Sequence, residues 1–190
     1  MSIRVSTGYS TMTTLLNKMD KWLYNIDEGL VNGIMFLDML KAFDTVDHSI
    51  LISKLKAYGV NDNCLKLFIS SLIINRAQKC KINQTLSEVN SVTCGVPQRS
   101  NLGPLLFLIY INDLPNCLEF SSTVMFADDT NLTVEAKSSN EQQQMLNKDL
   151  ENIHKWLVAN RLSLNVDKTE YMIVGTHSKL LNIGNNSTVH

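Results

Sequence analysis

Two apolar runs that end in acidic residues constrain the fold of this chain more than any other feature. Residues 34–37 are apolar and are followed by Asp38, and residues 124–127 are apolar and are followed by Asp128 and Asp129. Short continuous apolar runs are typical of buried strands. If the two strands are neighbours, their three carboxylates converge at one end of a sheet.

The segments around these runs alternate between helical and extended patterns. Helical periodicity or capping residues predict helices over residues 10–30, 47–58, 61–73 and 101–113, and a long helix that begins at the capping box Ser138–Glu141. Extended patterns predict a hairpin over 77–94 and strands at 131–134 and 171–174. Because helices and strands are mixed without strict alternation, the pattern favours an α+β fold over a doubly wound sheet.

Size and charge restrict the class of protein. The chain has 190 residues, of which 44% are hydrophobic, so we expect one domain with a buried core. Charged residues make up 18% and the formal net charge is −1, which excludes a disordered polyelectrolyte and a strongly basic nucleic-acid binder. The chain alone should therefore hold a polyphosphate weakly.

Cysteine usage and apolar runs predict the compartment. The 4 cysteines form no C-x-x-C pair, so they indicate buried thiols in a reducing environment rather than a zinc ribbon. The N-terminus has no apolar signal segment, and the longest apolar run, residues 105–111, is too short to cross a bilayer. We expect an intracellular protein of the cytoplasm or nucleus that is neither secreted nor bound to a membrane.

Three converging carboxylates have a definite chemistry. They repel one another and raise one another's pKa unless a cation lies among them, and oxygen ligands of this kind suit magnesium. Two such ions can clamp the attacking and leaving oxygens of an in-line phosphoryl transfer. The alternative is an ordinary solvated acidic turn between two strands, because an Asp-Asp pair alone is a weak motif.

Four segments carry a more specific pattern. They are residues 36–48 (FLDMLKAFDTVDH), 95–107 (GVPQRSNLGPLLF), 126–129 (FADD) and 162–169 (LSLNVDKT). In this order and at this spacing they resemble the palm motifs of reverse transcriptases from non-LTR retrotransposons of the LINE type, including jockey-like elements. The resemblance implies an α+β polymerase palm, an antiparallel sheet with packed helices, accompanied by partial fingers.

The same resemblance implies the organisation of the chain. The reverse transcriptase domain would cover residues 10–176, and residues 177–190 would form a polar, disordered tail. The thumb and the endonuclease domain of the family would be missing. We therefore expect a monomeric, truncated copy of a mobile-element polymerase.

The family's activity implies the partners and the catalytic residues. It is RNA-directed DNA polymerisation, a nucleotidyl transfer in which deoxynucleoside triphosphates extend the 3′-hydroxyl of a DNA primer on an RNA template. Asp38, Asp128 and Asp129 would hold two Mg²⁺ ions, with Mn²⁺ as an alternative. Lys168 would be the acid that protonates the leaving pyrophosphate; a solvated lysine is the alternative.

Three further residues would contact the substrate. The resemblance implies that the carbonyl of Met39 faces the second ion and that the ring of Phe43 lies under the incoming sugar, where it excludes a 2′-hydroxyl. Gln98 would lie near the incoming nucleotide or the template base. A core phenylalanine and a polar loop residue are the respective alternatives for Phe43 and Gln98.

The sequence departs from the family pattern at Arg99, Asn101 and Leu40, and other functions stay open. Arg99 stands where the family has a glycine. An inactive retrotransposon remnant, a nucleic-acid-binding module and a two-metal nuclease or phosphatase are the alternatives. A binding module lacks support because no strand shows the aromatic residues used for base stacking. Hydrolysis would not need the template loop at residues 95–104.

Overall fold

A computed structural model describes residues 11–63, 65, 77–97, 102–126 and 129–181. In chain order its elements are α1 (Thr11–Asp27), β1 (Val31–Leu37), α2 (His48–Ala57), β2 (Ala77–Gln78), β3 (Lys81–Ile82), β4 (Thr85–Leu86), β5 (Asn90–Ser91), α3 (Gly103–Ile111), β6 (Ser122–Phe126), β7 (Asp129–Ala136), α4 (Ser139–Ala159), β8 (Glu170–Val174) and α5 (His177–Leu181). Two short 3₁₀ turns, Leu114–Cys117 and Val166–Lys168, complete them.

The described residues divide into two compact units. The helical unit comprises the described residues of 40–113 and 159–162. The sheet unit comprises residues 11–39, the described residues of 114–158, and residues 163–181. A four-stranded sheet in the order β6-β7-β1-β8 forms the centre of the sheet unit. All three strand pairs are antiparallel, so the expectation of an α+β fold is confirmed.

Strand β1 is one of the two inner strands of the sheet and is covered on both faces. Its side chains are almost all buried, as its continuous apolar run predicts. On one face, the side-chain amide of Asn32 accepts a hydrogen bond from Asn25 and donates one to the carbonyl of Trp22, both in α1. On the other face, Gly33 lies directly against the side chain of Gln142 in α4. Helices therefore pack on opposite faces of the sheet.

Helix α1 has an unexpected orientation. Its apolar stripe consists of Leu15, Leu16, Met19, Leu23 and Ile26; the first four side chains are 46–58% exposed, and Ile26 is half-buried. Among the described side chains of α1, the one that is buried is the polar Asn25, which bonds to Asn32 of β1. The helical periodicity correctly predicted the element, but the paired amides of Asn25 and Asn32 determine which side of it meets β1.

Helix α4 begins as its capping box predicts. The backbone N–H of Glu141 donates to the Ser138 hydroxyl at 3.3 Å, while the Glu141 carboxylate accepts from the backbone N–H of Lys137. The reciprocal bond thus comes from the residue before the cap. The buried residues of α4 include Leu146, Ile153 and Leu157, and this apolar side of the helix packs in the core.

The helical unit is built around α2 and α3. Asp47 caps α2 by accepting hydrogen bonds from the backbone N–H groups of Ser49 and Ile50. In α3 the buried Tyr110 donates its hydroxyl to the carbonyl of Asn160 at 2.6 Å and accepts from the backbone N–H of Asp47. Tyr110 thereby links α3 to the start of α2 and to the short segment after α4.

Other sequence predictions have mixed outcomes. The hairpin at 77–94 forms two nested ribbons, β2 with β5 and β3 with β4, separated by irregular residues. Most of the helix predicted at 61–73 lies outside the described residues. The segment predicted as a disordered tail begins with α5, and residues 182–190 are outside the described range. Among the described residues, no helix combines the length and hydrophobicity that a membrane crossing requires.

Candidate catalytic site

The ends of β1 and β7 bring two of the predicted acidic residues to one edge of the sheet. The register pairs Leu37 with Thr130, and continuing it by one residue would place Asp38 opposite Asp129. Opposed residues of an antiparallel pair have Cα atoms about 4.5–5.5 Å apart and side chains on the same face. Asp38 is half-buried and Asp129 is exposed.

The third predicted carboxylate, Asp128, lies outside the described residues. It directly precedes Asp129, in the two-residue connection between Phe126 and Asp129, which pair in the β6–β7 hairpin. In the part of the chain that the structure describes, no three acidic, histidine or cysteine residues are grouped to hold a metal ion. Two of the three predicted ligands are therefore placed, and the trio remains a prediction.

A polar contact from a distant segment holds Asp38. The backbone N–H of Asn165 donates to the carbonyl of Asp38 at 2.8 Å, and the Asn165 side-chain amide donates to the Asp38 carboxylate, also at 2.8 Å. Next to this contact, Met39 and Leu164 form an antiparallel bridge. Because the flanking hydrogen bond joins Asp38 and Asn165, Met39 and Leu164 are a non-hydrogen-bonded pair: the backbone N–H of neither residue donates to the carbonyl of the other.

Lys168 lies at the same edge of the sheet. Phe36 pairs with Glu170 in the β1–β8 ladder, and Asp38 bonds to Asn165. The segment from Asn165 to Glu170 is therefore longer than the segment of β1 that it faces. The 3₁₀ turn Val166–Lys168 accommodates the extra residues as an insertion in the ladder. The hydroxyl of Thr169 closes this turn by donating to the carbonyl of Asn165 at 2.9 Å. The Lys168 side chain is exposed, and its role as an acid remains a prediction.

Phe43 belongs to the helical unit. Its ring lies 4.8 Å from the ring of Phe107, centroid to centroid, and the side chain is half-buried. A contact of this kind is one that a core phenylalanine makes. The role of Phe43 under a sugar therefore stays a prediction, as does that of Gln98, which lies outside the described residues.

The second motif docks on the end of the first motif through backbone contacts in the helical unit. The N–H of Gly95 donates to the carbonyl of Val46 and the N–H of Val96 donates to the carbonyl of Phe43, both at 2.8 Å. The ring Nε2 of His48 is 2.8 Å from the carbonyl oxygen of Gly95. Sequence reasoning assigned no role to His48, because nothing in its local pattern indicates a partner 47 residues away.

The backbone conformation and surroundings of position 95 require a glycine. Its φ is +86°, and a Cβ atom there would lie 2.9–3.1 Å from backbone atoms of Asp44. Only glycine combines a left-handed conformation with so close an approach.

Asp47, at the end of the first motif, is a carboxylate with a lowered pKa. The hydroxyl of Ser49 lowers its pKa to about 2, and the N–H groups of Ile50 and Ser49 and the charge of Arg161 act in the same direction. The guanidinium of Arg161 is 2.5 Å from the carboxylate. Burial of the Tyr110 hydroxyl raises its pKa to about 12, so it stays protonated as a donor to Asn160.

The donor set at the sheet edge fits magnesium. Asp38 and Asp129, at the ends of neighbouring strands, carry carboxylate oxygens, and hard oxygen ligands are those that Mg²⁺ prefers. The site has no thiolate or imidazole ligand among its predicted members, which argues against a zinc centre. The residues present therefore suit a divalent ion with oxygen ligands.

Comparisons of the sequence point to one family. A family model described as reverse transcriptase (RNA-dependent DNA polymerase) matches residues 4–187. The chain is 29% identical over 175 residues to the probable RNA-directed DNA polymerase from transposon BS of Drosophila melanogaster, covering 85% of this chain and 18% of the relative. It is 27% identical over 140 residues to the RNA-directed DNA polymerase from the mobile element jockey of the same species, covering 70% and 15%. The chain thus spans less than a fifth of these relatives.

Solved structures show the same fold. Telomerase from Candida tropicalis, truncated from its C-terminal domain, superposes with a TM-score of 0.65 at 12% identity, covering 90% of this chain and 36% of that one. Telomerase from Candida albicans, in complex with a fragment of telomeric RNA, has a TM-score of 0.60 at 17% identity, covering 89% and 31%. The antiparallel sheet with its packed helices is accordingly of the polymerase palm type.

Proposed function

Because this chain belongs to the reverse transcriptase family, we propose that it is the palm-centred part of an RNA-directed DNA polymerase from a non-LTR mobile element. Its reaction adds a deoxynucleotide from a triphosphate to the 3′-hydroxyl of a DNA primer on an RNA template. The observation that carries the proposal is the register of β1 and β7. It pairs Leu37 with Thr130, so Asp38 of the first motif and Asp129 of the third are the next residues along the two strands.

The carboxylates define where the reaction takes place. Asp38, Asp128 and Asp129 would together hold two Mg²⁺ ions, or Mn²⁺ in their place. When bound, these ions neutralise the phosphates and polarise the attacking and leaving oxygens. The chain's own contribution is to concentrate negative charge at one sheet edge, so that cations bind there, and to keep the carboxylates oriented on rigid strands.

The other predicted residues act on the substrate. The carbonyl of Met39 adds an oxygen beside the carboxylates, and Lys168 holds on its Nζ the proton that the leaving pyrophosphate takes. Phe43 occupies the volume that a 2′-hydroxyl would need, and Gln98 contacts the incoming nucleotide or the template base. The exposure of Lys168 on its protruding turn is compatible with reaching a bound triphosphate.

Primer extension tests the proposal directly. The net charge of −1 predicts a weak hold on nucleic acid, so the assay uses excess protein over a primer annealed to RNA, with Mg²⁺ or Mn²⁺. We expect slow addition of deoxynucleotides that is lost in Asp128→Asn and retained in the matched variant Asp20→Asn, which changes an exposed acid of α1. Addition that survives Asp128→Asn would contradict the assigned site.

One sequence observation favours a second candidate, an inactive remnant of such a polymerase. Arg99 replaces the glycine that the family has in the second motif. An arginine in a left-handed conformation costs about 1–2 kcal/mol and adds a long cation near the substrate loop. If the parent adds no nucleotide and Arg99→Gly adds it, the substitution inactivated this copy. If neither adds nucleotide although the site binds Mn²⁺, the remnant is the better description.

A further inference from the structure

Asn165 makes a two-point contact with Asp38 that the proposed chemistry does not yet use. Its backbone N–H and its side-chain Nδ2 each donate to Asp38, the first to the carbonyl oxygen and the second to Oδ2 of the carboxylate, both at 2.8 Å. The two residues are 127 positions apart in the chain. Both Asp38 and Asn165 are half-buried, so the contact is shielded from bulk water on part of its surface.

The amide contact controls the direction of the carboxylate. The χ2 angle of an aspartate side chain takes a broad range of values when nothing restrains it. A hydrogen bond to Oδ2 limits that rotation and thereby sets the direction in which Oδ1 points.

Asn165 is itself held in place. The neighbouring bridge of Met39 with Leu164 fixes the backbone on one side. On the other side, the carbonyl of Asn165 accepts hydrogen bonds from the Thr169 hydroxyl at 2.9 Å and from the backbone N–H of Lys168 at 3.2 Å. The donor therefore has little freedom before a ligand binds, as a preorganised site requires.

We infer that Asn165 is a positioning residue that orients the carboxylate of Asp38 for divalent-metal binding. The inference rests on the proposed function, because it takes Asp38 to be a metal ligand. Groups that hydrogen-bond to a metal ligand typically change metal affinity by roughly 10–100-fold when they are removed. Asn165 would have this effect without touching the metal.

The parent protein provides the first test, which needs no variant to fold. The side-chain amide resonances of Asn165 are followed by NMR during a Mg²⁺ titration, with those of Asn152 as an internal control. Asn152 also donates its amide to a carboxylate, that of Glu119, at an exposed position. We expect the Asn165 signals to shift and saturate with the metal while the Asn152 signals stay unchanged. An Asn165 signal that stays unchanged while Mg²⁺ binds would overturn the inference.

Matched variants provide the second test, with Mn²⁺ affinity measured by electron paramagnetic resonance. Asn165→Ala removes the donor, Asn165→Leu removes it while keeping most of the volume, and Asn152→Ala is the control. We expect both Asn165 variants to bind Mn²⁺ roughly 10-fold more weakly or worse, and Asn152→Ala to bind as the parent does. A purely structural role would lower the melting temperature in chelator but leave the affinity within about twofold of the parent, which would overturn the inference.

One further variant separates the two proposals. Asp38→Asn should abolish the Mn²⁺ site if Asp38 is a ligand. If Asp38→Asn has no effect on affinity, the proposed site is wrong, and the positioning role falls with it. If Asp38→Asn abolishes binding and the Asn165 variants do not weaken it, the proposed site stands and only the role of Asn165 is wrong.

Discussion

Gly95 and Gly59 show how position decides the effect of the same substitution. Both have positive φ, +86° and +83°, but a Cβ on Gly95 would meet the backbone of Asp44, whereas one on Gly59 would meet nothing within 4 Å. Gly59→Ala should cost about 1–2 kcal/mol from the left-handed conformation alone. Gly95→Ala should cost at least about 1 kcal/mol more, because rigid backbone must move. Urea unfolding of both variants measures the difference, and equal losses would refute the close approach.

The carboxylate of Asp47 should make stability depend on pH in the acidic range. Its pKa is about 2 in the folded protein against an ordinary value of 3.8, chiefly because of the Ser49 hydroxyl. A lowered pKa means that the unfolded chain takes up the proton first as pH falls. The stabilisation is therefore complete well above pH 3.8 and is lost between that value and about pH 2.

The variant Asp47→Asn isolates this effect. We expect the difference in free energy of unfolding between parent and Asp47→Asn to be constant near neutral pH and to shrink as pH falls through this window. Denaturant unfolding at a series of pH values measures it. A difference that is independent of pH would show that the ionised carboxylate does not stabilise the fold beyond capping α2.

At the scale of elements, α4 holds the turn that precedes β6 through one buried carboxylate. Asp149 is fully buried and accepts hydrogen bonds from the backbone N–H groups of Glu119, Phe120 and Ser121. Asp149→Ala would leave these donors without their acceptor, so it should cost at least about 2 kcal/mol. The control is Asn152→Ala, one helical turn further along and bonded to the exposed side chain of Glu119.

We expect Asn152→Ala to lower the free energy of unfolding by no more than about 0.5 kcal/mol, because the groups that lose their partner remain in contact with water. Thermal and urea unfolding measure both variants. Since the turn leads into β6, whose hairpin carries the acidic residues, loss of Asp149 should also weaken Mn²⁺ binding at the sheet edge. Similar losses in the two variants would indicate that the turn is held by other contacts.

At the scale of the whole molecule, the acidic cluster should couple metal binding to stability. If Asp38, Asp128 and Asp129 converge, their repulsion destabilises the chain in chelator, and a divalent ion that binds only the folded form raises the melting temperature with concentration. At 100 times the dissociation constant the gain is about 2.7 kcal/mol. We expect Asp128→Asn to melt higher than the parent in chelator and to gain much less from Mn²⁺.

The control for the Mn²⁺-dependent melting experiment is a charge removed away from the proposed site. Asp20→Asn removes an equal charge from α1 and should respond to Mn²⁺ as the parent does. An ordinary solvated acidic turn predicts no metal-dependent shift and almost no effect of Asp128→Asn. Equal metal responses in the parent and in Asp128→Asn would therefore remove Asp128 from the site.

The local sequence was sufficient to predict most elements of the fold. An unbroken apolar run predicts a strand covered on both faces, as β1 is, and Asp47 and Ser138 predict the starts of α2 and α4. These signals are local because capping and burial periodicity depend on residues a few positions apart. The apolar runs likewise predicted that Asp38 and Asp129 lie at strand ends; Asp38 directly follows β1, and Asp129 begins β7.

Tertiary structure alone decided which side of a helix is buried and which distant residues meet. The sequence predicted α1 as an amphipathic helix but did not indicate that polar Asn25 would face the sheet while the apolar stripe stays exposed. It placed Asn165 in a motif without indicating that its amide would hold Asp38. Contacts between residues more than 100 positions apart have no local periodicity to report them, because they arise only when strand order and register bring two segments together.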